Sequence, residues 1–245
     1  MSGDVRLITL YSVPKKSTVP NEDRVSWSEC GAVAAVADGA SISYDSARWA
    51  EILVEGYLNN PVVNQTWVSQ AAKQYANETD RDSLPWMKQA AYDKGSFSTL
   101  LGIKFDLERS SITLTAFGDT NAFLLLDGNL TTTFPITTTE KFDQSPDLIS
   151  TNMGENSYIN DNILELSQKT ITLTDCTEAI LVIATDALAH WIMDSSDDRI
   201  KELLGIKNLS TFTQLVFQER ENKSLKIDDT TLIAIRYQRV LPTIS

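Results

Sequence analysis

The sequence predicts an α+β fold in which antiparallel sheets pack against helices. Two stretches rich in β-forming residues, 24–37 and 97–134, are separated by a region with helical periodicity. The second β-rich stretch contains Asp127-Gly128, a strong signal for a two-residue hairpin turn. Because strands grouped in hairpins alternate with groups of helices, we expect antiparallel sheets flanked by helices.

The N-terminal part of the chain is predicted to form two strand regions followed by three helices. The strands are expected at 5–11 and 24–37, and a turn at Ser28-Glu29-Cys30-Gly31 divides the second. Helical periodicity is clearest in 46–59, where apolar residues fall at i, i+3, i+4, i+7 and i+8: Ala50, Leu53, Val54, Tyr57 and Leu58. Asn59-Asn60-Pro61 ends this helix. Two more helices are expected at 64–77 and 84–93, the second with Pro85 near its first turn.

The second half is predicted to return to strands, interrupted by one long polar segment. Alternating and β-branched residues predict strands at 97–106, 111–118, 121–126 and 130–134. Residues 135–162 are polar and irregular, and a loop of that length is usually functional or mobile. The remaining elements are expected as strands at 169–173, 179–184 and 230–238, and helices at 187–194, 197–204 and 210–221, the last with Phe212, Leu215 and Val216 inward.

Composition and charge argue against several kinds of partner and indicate where the protein is located. A chain of 245 residues fits one large domain or two small ones. Its formal net charge of −12 argues against nucleic acid and anionic membranes as partners. We read no signal peptide and no apolar run long enough to span a bilayer, and therefore expect a cytoplasmic protein. Cys30 and Cys176 have no metal-ligand spacing and are expected to be buried free thiols.

Five acidic clusters lie at the ends of short apolar or β-prone runs. They are Asn21-Glu22-Asp23-Arg24, Ala37-Asp38-Gly39-Ala40, Gly118-Asp119-Thr120, Thr185-Asp186-Ala187 and Asp228-Asp229-Thr230-Thr231. A carboxylate at the end of a buried strand is partly dehydrated, which is costly for an unpaired charge. If several of them converge at one sheet edge, a hard cation such as Mg²⁺ or Mn²⁺ must separate them.

Each cluster taken singly has a simpler interpretation. A lone Asp-Gly is usually a turn, and Asp186 could merely cap the helix that follows it. Their order is more specific. With Gly95-Ser96-Phe97-Ser98-Thr99 between the second and third clusters, the series from residue 5 to 238 resembles the metal-dependent protein phosphatase 2C family. The phrase AFGDTNAFLLLDG, residues 116–128, is especially similar to the strand–turn–strand around that family's Gly-Asp motif.

The resemblance implies one phosphatase domain over 1–245, with an α-β-β-α sandwich of two antiparallel sheets flanked by helices. It implies two Mn²⁺ or Mg²⁺ ions at one edge and a third, weaker ion. Asp38 would bridge the two ions, and Asp23 would hold a metal-bound water by a hydrogen bond. The implied metal ligands are Glu22, Asp38, Gly39, Asp119, Asp186 and Asp228. Residues 135–162 would be the flap, a loop over the cleft that influences substrate choice.

The chemistry implied is hydrolysis of phosphoserine or phosphothreonine in proteins by a water activated between the two ions. Asp23 or Asp119 could orient that water or relay its proton, and the sequence does not separate the two roles. The absence of a Cys-x5-Arg motif is consistent with a mechanism without a phosphoenzyme. We expect a monomer with a phosphorylated protein as its partner.

The chain departs from the family pattern at the position where many relatives bind the substrate phosphate. Many relatives have an arginine where this chain has Thr18. Lys15 and Lys16 could bind the substrate phosphate instead, or could be exposed loop lysines, and neither has the bidentate fork of arginine. His190, the only histidine, could face the cleft or be structural.

Two further departures leave alternatives open. Ala40-Ser41 follows the Asp-Gly motif in place of the usual residues, and Ala187 stands where a glycine is usual. These changes favour, as the main alternative, a catalytically impaired regulatory or phosphoprotein-binding protein. A phosphatase acting on small metabolites is the third hypothesis.

Overall fold

The structure, a computed structural model, describes residues 2–28, 31–41, 43–143 and 146–240. Cys30 and part of the predicted turn at 28–31 lie outside the described residues. In order along the chain, the strands are β1 Ser2–Val13, β2 Asp23–Trp27, β3 Val33–Asp38, β4 Phe97–Ser98, β5 Leu100–Asp106, β6 Ser111–Phe117, β7 Asn121–Leu126, β8 Asn129–Phe134, β9 Ile149–Ser150, β10 Gln168–Thr172, β11 Glu178–Ala184 and β12 Thr230–Val240. The α-helices are α1 Ser46–Asn59, α2 Gln65–Glu78, α3 Trp86–Lys94, α4 Asp161–Leu166, α5 Asp186–Met193, α6 Ser196–Gly205 and α7 Leu209–Glu221.

Two five-stranded antiparallel sheets form the centre of the fold. The first has the order β1-β12-β11-β7-β8, and the second has the order β10-β6-β5-β3-β2. A small third sheet pairs β4 with β9. The predicted α+β class is therefore confirmed. The strand predicted over 97–106 is divided at Thr99, so that β4 joins the small sheet and β5 joins the second large one.

The central strands are apolar on both faces because each large sheet is covered on both sides. In β3, Ala34 and Val36 belong to the core between the sheets, while Ala35 and Ala37 pack against the α1–α2 side. In β11, Ile183 faces the core between the sheets and Val182 packs on the α5–α7 side. Two buried faces per sheet require two helical layers, which gives the four-layer arrangement.

Asparagine caps start two of the helices, and buried side chains hold the helices against the rest of the fold. The side chain of Asn64 caps α2 by accepting from the backbone N–H of Trp67 at 2.9 Å, and Asn208 caps α7 in the same way. The buried face of α1 includes Trp49, whose Nε1 donates to the carbonyl of Ile149 at 2.8 Å. In α7, Phe212 and Val216 are buried as predicted, and the third residue, Leu215, is partly buried.

Residues 135–162 contain short ordered elements that their polarity did not predict, separated by irregular stretches. The described part contains a 3-10 turn at Thr139–Asp143, strand β9, a second 3-10 turn at Met153–Asn156 and the start of α4. Polar side chains build this order: the fully buried Asn156 accepts from Ser150 N and donates to Ser150 O, both at 2.8 Å. Such bonds satisfy the backbone locally, which a hydrophobicity pattern does not reveal.

None of the helices in the described ranges is both long and apolar enough to cross a membrane. Cys176 is buried and carries a free thiol, as predicted for that cysteine.

Candidate active site

Strand pairing brings the acidic clusters to one end of the two sheets. Asp23, the first residue of β2, lies opposite Asp38, the last residue of β3. Ala184 ends β11 opposite Asn121 of β7 and Leu232 of β12. The turns that carry Asp119, Asp186 and Asp228 therefore leave the first sheet at the same edge.

Two threonines join the sheets at this edge. Thr99 Oγ1 accepts from the backbone N–H of Asp38 at 2.9 Å and lies 2.7 Å from Thr120 Oγ1. Gly118 is required in the same place, because its φ is +91° and a Cβ there would lie 2.6 Å from Thr99 Cγ2. The Gly-Asp motif is thus fixed against the loop that follows Asp38.

A cavity of about 170 Å³ opens between these turns. Four of the predicted site carboxylates line it together with the predicted carbonyl ligand: Asp38, Asp119, Asp186, Asp228 and Gly39. The backbone at Gly39 is closely surrounded, since an added Cβ would lie 2.8 Å from the carbonyl carbon of Ser46. The structure therefore brings together five of the six predicted metal ligands.

The carboxylates destabilise one another's ionised forms. Burial, followed by the charges of Asp23, Asp186, Asp228 and Asp119, holds the pKa of Asp38 well above its ordinary value. Burial and then the charges of Asp119 and Asp228 raise the pKa of Asp186 to about 7. Burial also raises the pKa of Asp119. A cation bound among these groups would remove much of this electrostatic cost.

The donor set suits a hard divalent cation, although the side chains are not already gathered into a ligand shell. Asp186 Oδ1 and Asp23 Oδ1 are buried and have no hydrogen-bond partner in the described structure. Carboxylate and carbonyl oxygens are the ligands that Mg²⁺ and Mn²⁺ prefer. Across the described ranges, however, no three His, Cys, Asp or Glu side chains lie close enough to hold a metal ion as they stand. Binding would require these side chains to move inward.

Asp23, which lies opposite Asp38 in the β2–β3 pair, is held within a network of hydroxyl groups. Its Oδ2 accepts from Thr231 Oγ1 at 2.6 Å and from Thr185 Oγ1 at 3.1 Å. Burial raises the pKa of Asp23 to about 7, and the hydrogen bonds from the two threonines only partly oppose this effect. One oxygen is therefore held firmly while the other, Oδ1, remains available.

Glu22, the sixth predicted ligand, does not line the cavity because other groups already bind its carboxylate. Lys15 Nζ donates to Oε2 at 2.5 Å, Ser41 Oγ donates to the same oxygen at 2.7 Å, and Ser46 Oγ donates to Oε1 at 2.6 Å. Burial alone would raise the pKa of Glu22, but these hydrogen bonds, that of Lys15 first, outweigh it and lower the pKa. Lys15 is half-buried, whereas Lys16 is an exposed lysine.

Sequence reasoning missed Asp229 and Arg220, which hold the predicted ligands in place. Asp229 is 2% exposed, and its two oxygens accept from the backbone N–H groups of Lys15 and Glu22, each at 2.6 Å. Arg220 donates to the carbonyls of Pro14 and Asp228. The only sequence signal for Asp229 is the doubled aspartate directly before an apolar strand.

A second cavity of about 270 Å³ adjoins the first and shares Asp119 and Pro146 with it. Phe117 and Ile136 form part of its apolar lining, and Tyr158 and Lys141 contribute polar groups. His190 does not line either cavity; its ring meets that of Phe142 edge-on at a centroid distance of 5.6 Å. His190 is thus placed as a packing residue against the segment 135–162.

Comparison with known proteins gives a structural likeness only. No protein-family model and no curated protein sequence matches the chain. Among solved structures, the catalytic domain of the serine/threonine protein phosphatase PstP, in complex with two manganese ions, has a TM-score of 0.62 at 18% identity, covering 97% of this chain and 100% of that one.

Two other solved structures agree. Serine/threonine phosphatase Stp1 from Staphylococcus aureus has a TM-score of 0.60 at 14% identity, with coverage of 98% of this chain and 96% of that one. PppA, a regulatory component of the T6SS in Pseudomonas aeruginosa, has a TM-score of 0.58 at 17% identity, with coverage of 94% and 96%. The chain therefore has the fold of these three solved structures over nearly its whole length.

Proposed function

We propose that this protein is a metal-dependent phosphomonoester hydrolase that removes phosphate from phosphoserine or phosphothreonine of proteins. The observation that carries the proposal is the cavity in which Asp38, Asp119, Asp186 and Asp228 meet without a cationic side chain. Groups with pKa values raised by burial and by one another, placed in a cleft, are typical of functional sites. The fold shared with serine/threonine phosphatases supports the choice of reaction.

In this proposal the cavity carboxylates and the Gly39 carbonyl bind Mn²⁺ or Mg²⁺, with Glu22 as the ligand of a second ion and Asp119 as a ligand of a third, weaker one. Such ions, when bound, polarise the phosphoryl group and lower the pKa of a coordinated water. Burial and mutual repulsion disfavour the ionised forms of Asp38 and Asp186. A bound divalent ion would stabilise those ionised forms and displace their protons.

The protein groups would orient the attacking water and take its proton. Asp23 suits this role because Thr185 and Thr231 fix one of its oxygens and leave Oδ1 without a partner. Asp119 is the other candidate, because it lines both cavities and so lies between the metal ligands and the segment 135–162. Lys15 or Lys16 would contact the substrate phosphate.

One observation favours the second candidate, a catalytically impaired phosphoprotein-binding protein. Glu22 is a predicted metal ligand, yet its oxygens already accept from Lys15, Ser41 and Ser46. If that arrangement persisted in solution with Mn²⁺ present, the second ion would have no carboxylate of its own.

Hydrolysis of p-nitrophenyl phosphate and of phosphoserine peptides, with Mn²⁺ and with EDTA, tests the proposal. Asp38→Asn and Asp186→Asn should each reduce Mn²⁺-dependent kcat by about 100-fold or more, since each removes a charge from the metal site. Asp4→Asn is the matched control, because Asp4 pairs with Arg6 on the exposed surface. Full activity in both site variants would overturn the assignment. Peptide binding without turnover in the wild type would select the impaired protein instead.

We further propose a cytoplasmic monomer that acts in a signalling pathway as a single domain over 1–245. Light scattering of the purified protein tests the monomer directly.

A further inference from the structure

We propose that Lys15 is a tethered cation that competes with a divalent ion for Glu22, so that the two metal positions of the site differ in affinity. This inference rests on the proposed function and concerns how its site is filled. It predicts one position with no paired cationic side chain and one from which an ammonium group must first be displaced.

The first observation is how completely Glu22 is engaged. Lys15 Nζ lies 2.5 Å from Glu22 Oε2 and also 2.5 Å from Ser41 Oγ, and the side chains of the ion pair are only 18% and 17% exposed. Ser46 binds the other carboxylate oxygen at 2.6 Å. A hydrogen bond to a charged partner is stronger than a neutral one, and partial burial protects it from solvent screening.

The second observation is that the backbone holds this pair together. Asp229 accepts from the backbone N–H groups of both Lys15 and Glu22, through different oxygens of one buried carboxylate. The two residues therefore keep their spacing even when the lysine side chain moves. A competitor tethered in this way acts at a high local concentration.

The third observation is the contrast with the cavity. Of the predicted carboxylate ligands in the described structure, only Glu22 forms a salt bridge within 4.0 Å. Asp38, Asp186 and Asp228 have no such cationic neighbour. At the aspartates a divalent ion displaces no directly paired cation, although Lys226 acts on Asp119 and Asp186 from a distance. At Glu22 it replaces compensation that Lys15 already provides.

The consequence is a defined order of filling. The aspartate position should bind Mn²⁺ first and tightly, and the Glu22 position second and weakly. When the second ion binds, the ammonium of Lys15 moves away from Glu22. It then lies next to Ser41, which lines the cavity. Lys15 then becomes free to meet an anionic substrate there.

Calorimetric titration of the metal-free protein with Mn²⁺ tests the inference without relying on activity. The wild type should show a tight class at the aspartates and a weak class at Glu22, with the third ion proposed at Asp119 weaker than both. Lys15→Met should tighten the weak class by about tenfold, the effect of removing one charge-assisted hydrogen bond, and leave the tight class unchanged. Lys16→Met is the matched control, because it makes the same change of charge at the neighbouring exposed residue and should leave both classes as in the wild type.

Equal isotherms for the Lys15→Met and Lys16→Met proteins would overturn the inference. So would a weak class that becomes weaker in the Lys15→Met protein. The failure of the proposed function looks different, because Asp38→Asn would then leave Mn²⁺ binding unchanged.

A second measurement uses the unmodified protein and does not depend on the folding of a variant. The ammonium of Lys15 should give a protected ¹⁵N-ζ resonance in the metal-free protein, because Glu22 and Ser41 both bind it. Titration with diamagnetic Mg²⁺ should leave this resonance in place while the tight class fills and remove it as the weak class fills. A resonance that persists when both classes are filled would refute the competition.

Discussion

Asp229→Asn tests whether the buried carboxylate of Asp229 positions the metal-binding loop. In the wild type, Asp229 Oδ1 and Oδ2 each accept from a backbone N–H, those of Lys15 and Glu22, at 2.6 Å. Asparagine has nearly the same shape but only one acceptor oxygen. Its NH₂ group would face a second N–H donor, so that one buried hydrogen bond is lost and one donor is left unsatisfied.

The magnitude follows from the hydrogen bond that is lost. A hydrogen bond to a charged group contributes about 1.5–3 kcal/mol, and Asn keeps one of the two. The loss of negative charge also removes repulsion on Asp23, whose pKa Asp229 helps to raise. This relief offsets part of the cost, so we expect a net loss of about 2 kcal/mol in the free energy of unfolding. For a protein of this size that corresponds to a fall in Tm of roughly 4–8 °C.

The assay is urea unfolding of the metal-free protein, followed by a Mn²⁺ titration of the same samples. Because the loop that carries Glu22 loosens, the weaker class of Mn²⁺ site should lose about tenfold or more in affinity, as for other groups that orient metal ligands. Asp4→Asn, on the exposed surface of β1, provides the control for the loss of one carboxylate. An unfolding free energy within about 0.5 kcal/mol of the wild type would refute the reasoning, since that is the range of ordinary surface substitutions.

Two further predictions concern pH and the second cavity. Without divalent ions, stability should fall as the pH rises from about 4 to about 7, because folded Asp23 and Asp186, each with a pKa raised to about 7, keep protons that the unfolded chain has released. A pKa raised to about 7 corresponds to a loss of about 4 kcal/mol for one such group between pH 4 and pH 8. The charge of Asp186 helps to raise the pKa of Asp23, so the losses of the two groups do not simply add. Urea unfolding in EDTA at pH 4 and pH 8 measures the loss, and a rise in stability would contradict the pKa directions. In the second cavity, Tyr158→Ala and Lys141→Ala should raise KM for phosphopeptides several-fold and leave p-nitrophenyl phosphate hydrolysis unchanged, because they alter the lining next to Asp119. Equal losses on both substrates would show that the cavity does not contact the peptide.

The fold was readable from the sequence where one face of an element is buried. The bounds of α1, Ser46–Asn59, agree with its predicted range because its apolar residues repeat at helical spacing against a fully buried sheet. The short elements of the segment 135–162 were missed because hydrogen bonds of polar residues, and not apolar burial, build them. Asn152 and Asn160, whose side chains cap the turns that follow them, were the available signals.

Only part of the candidate site could be predicted from the sequence, because some of its contacts join residues that are far apart along the chain. The end of a strand fixes where its acidic residue lies, but the meeting of these aspartates at one site was predicted from the family resemblance of the motif series. The pairing of Lys15 with Asp229 joins residues 214 positions apart and leaves no periodic pattern. The engagement of Glu22 by Lys15 likewise depends on how the loop between β1 and β2 folds back, which strand signals do not determine.

The distribution of cations within the site argues for metal binding and against a purely structural role. Replacing buried charges by apolar residues is often neutral or stabilising, so an acidic cluster that binds no ligand only lowers the stability of the protein. The chain neutralises Glu22 and Asp229 internally, through Lys15 and through backbone N–H groups, and so has the means to satisfy buried carboxylates. It nevertheless leaves Asp38 and Asp186 with raised pKa values and, at Asp186 Oδ1, a buried oxygen without a partner in the described structure. A protein that never binds a cation would gain stability by pairing these groups as well, whereas one that binds a divalent ion needs them unpaired.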